Sequence, residues 1–318
     1  MAKAGSGQMR CVFGWAWQMV SAKAGLLATL ILASTTSNAG VSGDSAIGQL
    51  TAQFGPADPG CALLIRSHDQ VQLARGYGVR DLQSRTRIDP RTNFRLASLS
   101  KQFTAMAVML LVHDGRLKYE TTLAELLPGF PDYAQRITVR DLLTHTSGIA
   151  DYEELMGGAQ PPYSPTHQIQ DDEVLALLRR DAKPVFVAGD RWAYSNSGYV
   201  LLGLIVAQVS GQPFGDFLND RIFHPLGMRD TVLFRAGQNS VRRRAFGHIR
   251  SGDRFAQSDQ SDTSATQGDG GIYSNVEDLA LGRGVGGAHA AAGVCYAGCA
   301  DTGYAKPRPR GALARDAG

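Results

Sequence analysis

Apolar positions recur in two rhythms along this chain, and the change of rhythm divides it. From Cys61 the pattern alternates. Cys61-Ala62-Leu63-Leu64-Ile65-Arg66 and Val71-Gln72-Leu73-Ala74-Arg75-Gly76-Tyr77-Gly78-Val79 read as two strands around a turn at Ser67-His68-Asp69-Gln70. A third short extended piece covers Arg87 to Asn93. The spacing then becomes helical. Phe103, Met106, Ala107, Leu110 and Leu111 share one helix face, which predicts a buried helix, and His113-Asp114-Gly115 reads as its stop.

The middle of the chain stays helical and rich in loops. Thr122 to Leu127 reads as a short helix ended by Pro128-Gly129, and Thr138 caps another that runs to Thr144. His145-Thr146-Ser147-Gly148 breaks that pattern. A helix is expected from Asp172 to Arg180, and a Gly/Pro-rich surface loop at 157–166. Pro184 to Trp192 reads as extended. Helices are then expected from Tyr199 to Val209, stopped by Ser210-Gly211, and from Pro213 to Ile222. Strand-like text returns at Thr231-Val232-Leu233-Phe234. Gly270-Gly271-Ile272-Tyr273-Ser274-Asn275 leads into a helix that begins at Val276. Strands therefore flank a helical middle. The expected class is α+β: an antiparallel sheet flanked by helices, with an inserted all-helical domain. From Gly282 to Gly318 the text turns to Gly and Ala, and periodicity of either kind disappears. Such a stretch is expected to stay disordered. No internal repeat is found.

Composition narrows the picture. With 318 residues the chain can bury a sizeable core. A net charge of +3 is too small to argue for a nucleic-acid partner, and Arg242-Arg243-Arg244 reads as a solvated loop. Four cysteines give no framework. Cys61 sits in an apolar stretch and is expected to be a buried thiol, while Cys295 and Cys299 without further ligands make a weak metal or disulfide pair. Near the N-terminus, Lys23 precedes the apolar run Ala24 to Ala33, and Ser37-Asn38-Ala39 supplies a cleavage site. The run is too short for a membrane span, which needs about 20 apolar residues. The expectation is an exported protein, periplasmic or secreted. Residues 1–39 would be a signal peptide, 40–281 the working domain and 282–318 a divergent tail. The stretch before Lys23 is long for a signal, and Met19 makes a more typical start.

Candidate chemistry begins at Ser98 and Lys101. At helical spacing, positions i and i+3 share a face, so the two side chains can touch. A lysine in a dry pocket gives up its proton more easily and can then activate a hydroxyl. Read alone, the pair is better explained as an N-cap serine and a surface lysine. Tyr194-x-Asn196, far away in sequence, offers candidate partners, although read alone it is better explained as a loop tyrosine with an N-capping asparagine. A phenol beside an ammonium can act as a base, and an amide can hold a substrate carbonyl while bonding the lysine. His145 invites a Ser–His–Asp triad with Asp141 or Asp151, but no Gly-x-Ser-x-Gly elbow is present. No clustered metal spacing is found either.

Ser98-x-x-Lys101 followed by Tyr194-x-Asn196, with helical text between, resembles the penicillin-recognising serine hydrolases. That superfamily includes class C β-lactamases, D-alanyl-D-alanine carboxypeptidases and β-lactamase-like esterases. Gly76-Tyr77-Gly78-Val79, Phe94-Arg95-Leu96-Ala97-Ser98, Leu142 to Gly148, Pro225-Leu226-Gly227-Met228 and Gly270-Gly271-Ile272 strengthen the likeness, which covers roughly Gly60 to Leu281. The resemblance implies acyl transfer to Ser98 from a small-molecule or peptide substrate. Lys101 and Tyr194 would share the proton traffic, Asn196 would orient the substrate, and the Ser98 N–H would supply half of an oxyanion hole. It implies a structural role for the His145 loop and no metal or organic cofactor. The family's late Lys-Thr-Gly or His-x-Gly motif has no match; Asp301-Thr302-Gly303 carries an acid where the cation belongs. The abrupt change at Gly282 reads as a frameshift that removes C-terminal strands. Two functions therefore compete: a serine hydrolase acting through an acyl-enzyme on amide or ester bonds (β-lactam, D-alanyl peptide or ester), with very low activity expected of this chain, and a truncated, catalytically inactive remnant that is at most a ligand-binding protein.

Overall fold

The computed structural model describes residues 43–67, 70–158, 162–181, 183–281 and 293–294. The expected signal peptide, Cys11, Cys295, Cys299 and the Asp301-Thr302-Gly303 stretch lie outside the described residues, as does the rest of the tail from 282 apart from 293–294.

In chain order the first elements are α1 (Gly43–Thr51), β1 (Cys61–Ser67), β2 (Gln70–Tyr77) and β3 (Phe94–Arg95). A 3-10 turn at Ala97–Ser100 runs directly into α2 (Lys101–His113). The helical middle holds α3 (Leu123–Leu126), α4 (Val139–Thr144), α5 (Tyr152–Leu155), α6 (Asp171–Asp181), α7 (Asn196–Ser210) and α8 (Phe214–Leu218). Then come β4 (Val232–Leu233), β5 (His248–Ser251), β6 (Arg254–Gln257), β7 (Ile272–Ser274), α9 (Val276–Leu281) and β8 (Gly293–Val294).

The alternation from Cys61 folds as read. β1 and β2 pair antiparallel, Cys61 opposite Tyr77, with an irregularity between Ile65 and Arg66. Cys61, Ala62 and Leu64 are buried, whereas β2 is exposed along much of its length, so β1 is the inner strand of the order β2-β1-β8. The expected sheet is divided. β3, β7 and β4 form a second antiparallel sheet in the order β3-β7-β4, and β5 pairs with β6 as a separate hairpin. That hairpin carries no clear alternation of burial, with Ile249 and Arg250 both exposed, which is why the sequence pattern misses it.

The main core sits between α2 and α7. Phe103, Ala107 and Leu111 on α2 and Leu201, Ile205 and Val206 on α7 are all at most 1% exposed. Each of these side chains larger than alanine contributes on the order of 1.5–3 kcal/mol of burial. Phe103 meets Phe223 edge to face, ring centroids 5.4 Å apart. Asp114 follows α2 as its cap, and Gly115 takes φ +69°, as the stop signal predicts. Thr122 and Thr138 each close a capping box, with Glu125 and Asp141 respectively, satisfying two orphan N–H groups per helix. No single helix among the described residues is long and apolar enough to cross a membrane.

Three expectations need correction. α7 begins at Asn196 rather than Tyr199, because Ser195 Oγ accepts the Gly198 N–H at 3.3 Å and starts the helix early. The helix after Pro213 stops at Leu218 and continues as a π-helical turn, Asn219–Phe223. The arginine run is a solvated loop only at Arg242, whose side chain is 70% exposed, while Arg243 and Arg244 are partly buried. Arg242 and Arg243 approach the buried Asp230 at 3.2 and 3.5 Å, joined by Arg91 at 2.8 Å. Arg244 lies against the rings of Phe234, Phe246 and Tyr273 and pairs with Asp259.

Candidate active site

Ser98 sits in the 3-10 turn, not in the α-helix. With 3.0 residues per turn, positions 98 and 101 eclipse each other, and Lys101 Nζ lies 3.2 Å from Ser98 Oγ. The N-cap explanation of Ser98 fails, since no side chain caps either this turn or α2. Nor is Lys101 a surface residue; it is 7% exposed. Ala97, directly before Ser98, takes φ +47°, a conformation that costs a non-glycine residue about 1–3 kcal/mol and persists where surrounding structure enforces it. The enforcing contacts are local. Ser100 Oγ accepts the Ile272 N–H at 3.2 Å, Thr104 Oγ1 donates to Gly268 O at 2.6 Å, and Leu96 N–H donates to Ile272 O at 2.8 Å. The start of α2 is thereby stitched to residues 268–272.

Lys101 Nζ donates to Ser98 Oγ, to Asn196 Oδ1 at 2.8 Å and to Asp269 O at 2.9 Å. Three acceptors match the three N–H bonds of an ammonium. The charge also lies 5.0 Å from the Tyr194 ring centroid and 5.6 Å from that of Tyr199. Tyr194 is 39% exposed, and its hydroxyl is 2.8 Å from Ser98 Oγ. All four residues singled out from the sequence therefore meet: Ser98, Lys101, Tyr194 and Asn196.

The loop that carries Tyr194 is held from the other side. Ala193 N–H donates to His145 O at 2.9 Å, and Asn196 N–H donates to Asp151 Oδ2 at 2.7 Å. Ser197 Oγ donates to Ala150 O at 2.8 Å and accepts the Tyr152 N–H at 2.7 Å. Asn196 Nδ2 donates to Glu153 Oε1 at 3.1 Å, so both ends of its amide are oriented. His145 forms no triad. Asp141 accepts from Thr138 and Thr146, and Asp151 from Glu153 and Asn196. Burial, assisted by the Lys101 charge, lowers the His145 imidazole to about 4.

Ser98 and Asn196 line a cavity of about 350 Å³ whose other walls include Arg95, Glu153, Ser264 and Asp269. Burial raises Asp151 above the ordinary carboxylate range. Glu153 is raised by partial burial and then by the Asp151 and Asp269 charges. Sequence reasoning reaches Asp151 only as a triad partner for His145, and misses Glu153 and Asp269. One signal was present: Asp151 followed by Glu153 and Glu154 is an N-cap with acids in the first turn, and Asp151 caps α5. Among the described residues no group of three or more His, Cys, Asp or Glu side chains is arranged to hold a metal ion.

A serine on a 3-10 turn, a buried lysine one turn on and a tyrosine from a distant loop make a distinctive arrangement, and similar proteins carry related names. The chain is 33% identical over 216 residues to penicillin-binding protein 4* of Bacillus subtilis, covering 64% of this chain and 47% of that one. It is similar to the octameric penicillin-binding protein homologue from Pyrococcus abyssi, with a TM-score of 0.60 and 30% identity over 75% of this chain and 54% of that one. The D-amino acid amidase from Ochrobactrum anthropi, solved with L-phenylalanine, matches with a TM-score of 0.60 and 28% identity over 70% and 63%. The chain spans about half the length of the curated relatives it matches first. These likenesses bear out the expected β-lactamase/transpeptidase-like α+β fold. The family described as Beta-lactamase matches residues 49–284, well over half of the chain, and the chain belongs to it.

Proposed function

We propose that this chain is a serine hydrolase that works through an acyl-enzyme on amide or ester bonds. The observation that carries the reading is the convergence on Ser98 Oγ of Lys101 Nζ at 3.2 Å and the Tyr194 hydroxyl at 2.8 Å. Ser98 Oγ attacks the substrate carbonyl. Lys101 already offers all three of its protons to acceptors, so the base is Tyr194 acting as its phenolate once its hydroxyl proton has left to solvent; the phenolate oxygen takes the serine proton and becomes the hydroxyl again, and the ammonium offsets the negative charge. The proton then passes to the leaving nitrogen or oxygen. Water, activated along the same path, releases the acyl group. Asn196, its Oδ1 on Lys101 and one amide hydrogen on Glu153, has its second amide hydrogen left for a substrate carbonyl. The Ser98 N–H supplies one oxyanion donor.

β-Lactams, D-alanyl peptides and simple esters all fit this chemistry. Relatives named penicillin-binding protein and a neighbour named D-amino acid amidase support the first two classes over the third. Turnover of a chromogenic cephalosporin, a D-alanyl-D-alanine peptide and an aryl ester, each against Ser98→Ala, tests the reading. Ser98-dependent release of product from any one supports it. No turnover of all three by a folded chain favours the inactive remnant.

The reading includes export, supported by Lys23, the apolar run to Ala33 and the small residues before Gly40. Protein recovered from the producing cells should then begin near Gly40; an intact Met1 would contradict it.

A further inference from the structure

His145, in the Leu142–Gly148 stretch, reaches the proposed machinery without being part of it. It caps α4 in the left-handed region, φ +59°. Its ring lies between two tyrosine rings, tilted against each, with centroids 4.7 Å from Tyr194 at 32° and 5.1 Å from Tyr199 at 34°. The Trp192 ring closes a third side edge-on at 6.0 Å. Its carbonyl accepts the Ala193 N–H and its Nδ1 accepts the Ser195 N–H at 3.2 Å. The residues on either side of Tyr194 are thus both bound to His145, and the Tyr194 ring lies on the imidazole. Resting on the function proposed above, we propose that His145 is a positioning residue that sets the Tyr194 phenol against Ser98 by packing against its ring and tying down Ala193 and Ser195.

Two consequences follow from the contacts. A backbone N–H can only donate, so Nδ1 must carry a lone pair and the imidazole proton belongs on Nε2. A protonated ring would lose the Ser195 bond and set a second cation beside Lys101. Lys101 on α2 is the charged group that faces it, and Tyr194, Tyr199 and Trp192 are its remaining ring neighbours. The ring is held neutral by burial and by that ammonium. The role is geometric: a misplacement of about 1 Å in a reacting group can cost about 100-fold in rate.

The test uses the whole chain and two substitutions. His145→Asn tolerates a positive φ and keeps an acceptor for Ser195 but removes the ring; His145→Phe keeps a ring and removes the acceptor. Labelling of Ser98 by a fluorescent penicillin or an activated aryl ester gives the acylation rate constant and the half-saturating concentration separately. Both variants should lose about tenfold or more in the rate constant, with half-saturation little changed and the folded fraction intact. Nitrogen NMR of the wild-type ring should show a proton on Nε2, none on Nδ1, and no titration between about pH 5 and pH 8. An unchanged rate constant in His145→Asn, or a ring protonated on Nδ1 or titrating near 6.5, would overturn the inference while leaving Ser98 chemistry in place. A wild-type chain that never labels, but whose ring nitrogens behave as described, would instead overturn the proposed function and support the geometry.

Discussion

Replacing Asp171 by Asn should stabilise the fold in a way that grows with pH. Asp171 opens α6 and is 8% exposed. Its Oδ1 accepts the Gln267 N–H at 3.0 Å, which ties α6 to the segment whose Asp269 carbonyl holds Lys101. Burial pushes its carboxyl up from 3.8 to about 8; the Gln267 bond opposes that and the Asp269 charge adds to it. Between those values the folded chain holds a proton that the unfolded chain has lost. Stability is therefore greatest below about pH 4, falls as pH rises towards 8, and levels off above. At about 1.4 kcal/mol per pH unit the interval bounds the effect at about 6 kcal/mol. The α6 N-terminus favours a carboxylate, and a buried charge relaxes its surroundings, so about 3 kcal/mol is expected. Asn keeps the acceptor and cannot ionise. Urea unfolding followed by circular dichroism should give equal stabilities near pH 4 and a gain of about 3 kcal/mol for Asp171→Asn near pH 8. Parallel curves across that range would show that Asp171 is ionised in the fold, and the burial argument would be wrong.

Tyr194→Phe removes only a hydroxyl from a side chain that is 39% exposed; the melting temperature should hold while Ser98 acylation falls about 10²- to 10⁴-fold, and an unchanged rate would remove Tyr194 as the base. Thr138→Ala breaks the α4 capping box and should cost about 1 kcal/mol in urea unfolding, with no loss if water replaces the cap fully. At Gly268 a Cβ would run into the Tyr199 carbonyl and approach Gly203 Cα at 3.2 Å. Gly268→Ala should therefore lower stability by about 1–3 kcal/mol, measured by thermal unfolding, and a neutral result would mean that the α7 contact is looser than described.

The sequence disclosed the parts of this fold that obey a single rule. Thr138 with Asp141, and Gly115 after His113, follow local capping chemistry, so those boundaries are readable. The β5–β6 hairpin was not, because both of its faces are largely polar and periodicity has nothing to report. The division of the sheet into β2-β1-β8 and β3-β7-β4 depends on pairings between segments distant in sequence, such as Phe94 with Ser274. At the site, residue types chosen for their chemistry were legible: Ser98, Lys101, Tyr194 and Asn196 converge as spacing and family likeness suggested. The supporting carboxylates were hidden, since Asp151 and Glu153 look like an ordinary helix start until Asn196 is seen between them. The arginine run misled for a related reason. Charge in a sequence suggests solvent, and only the fold shows Asp230 and the Phe234, Phe246 and Tyr273 rings that receive it.

The most direct measurement is the intact mass of the chain after brief exposure to a penicillin or an activated ester, followed by mapping of the modified peptide. One acyl group on Ser98, absent from Ser98→Ala and much slower to form in Tyr194→Phe, is the result expected from the three groups that meet there. A properly folded chain that stays unmodified, or that is modified equally in Ser98→Ala, would contradict it.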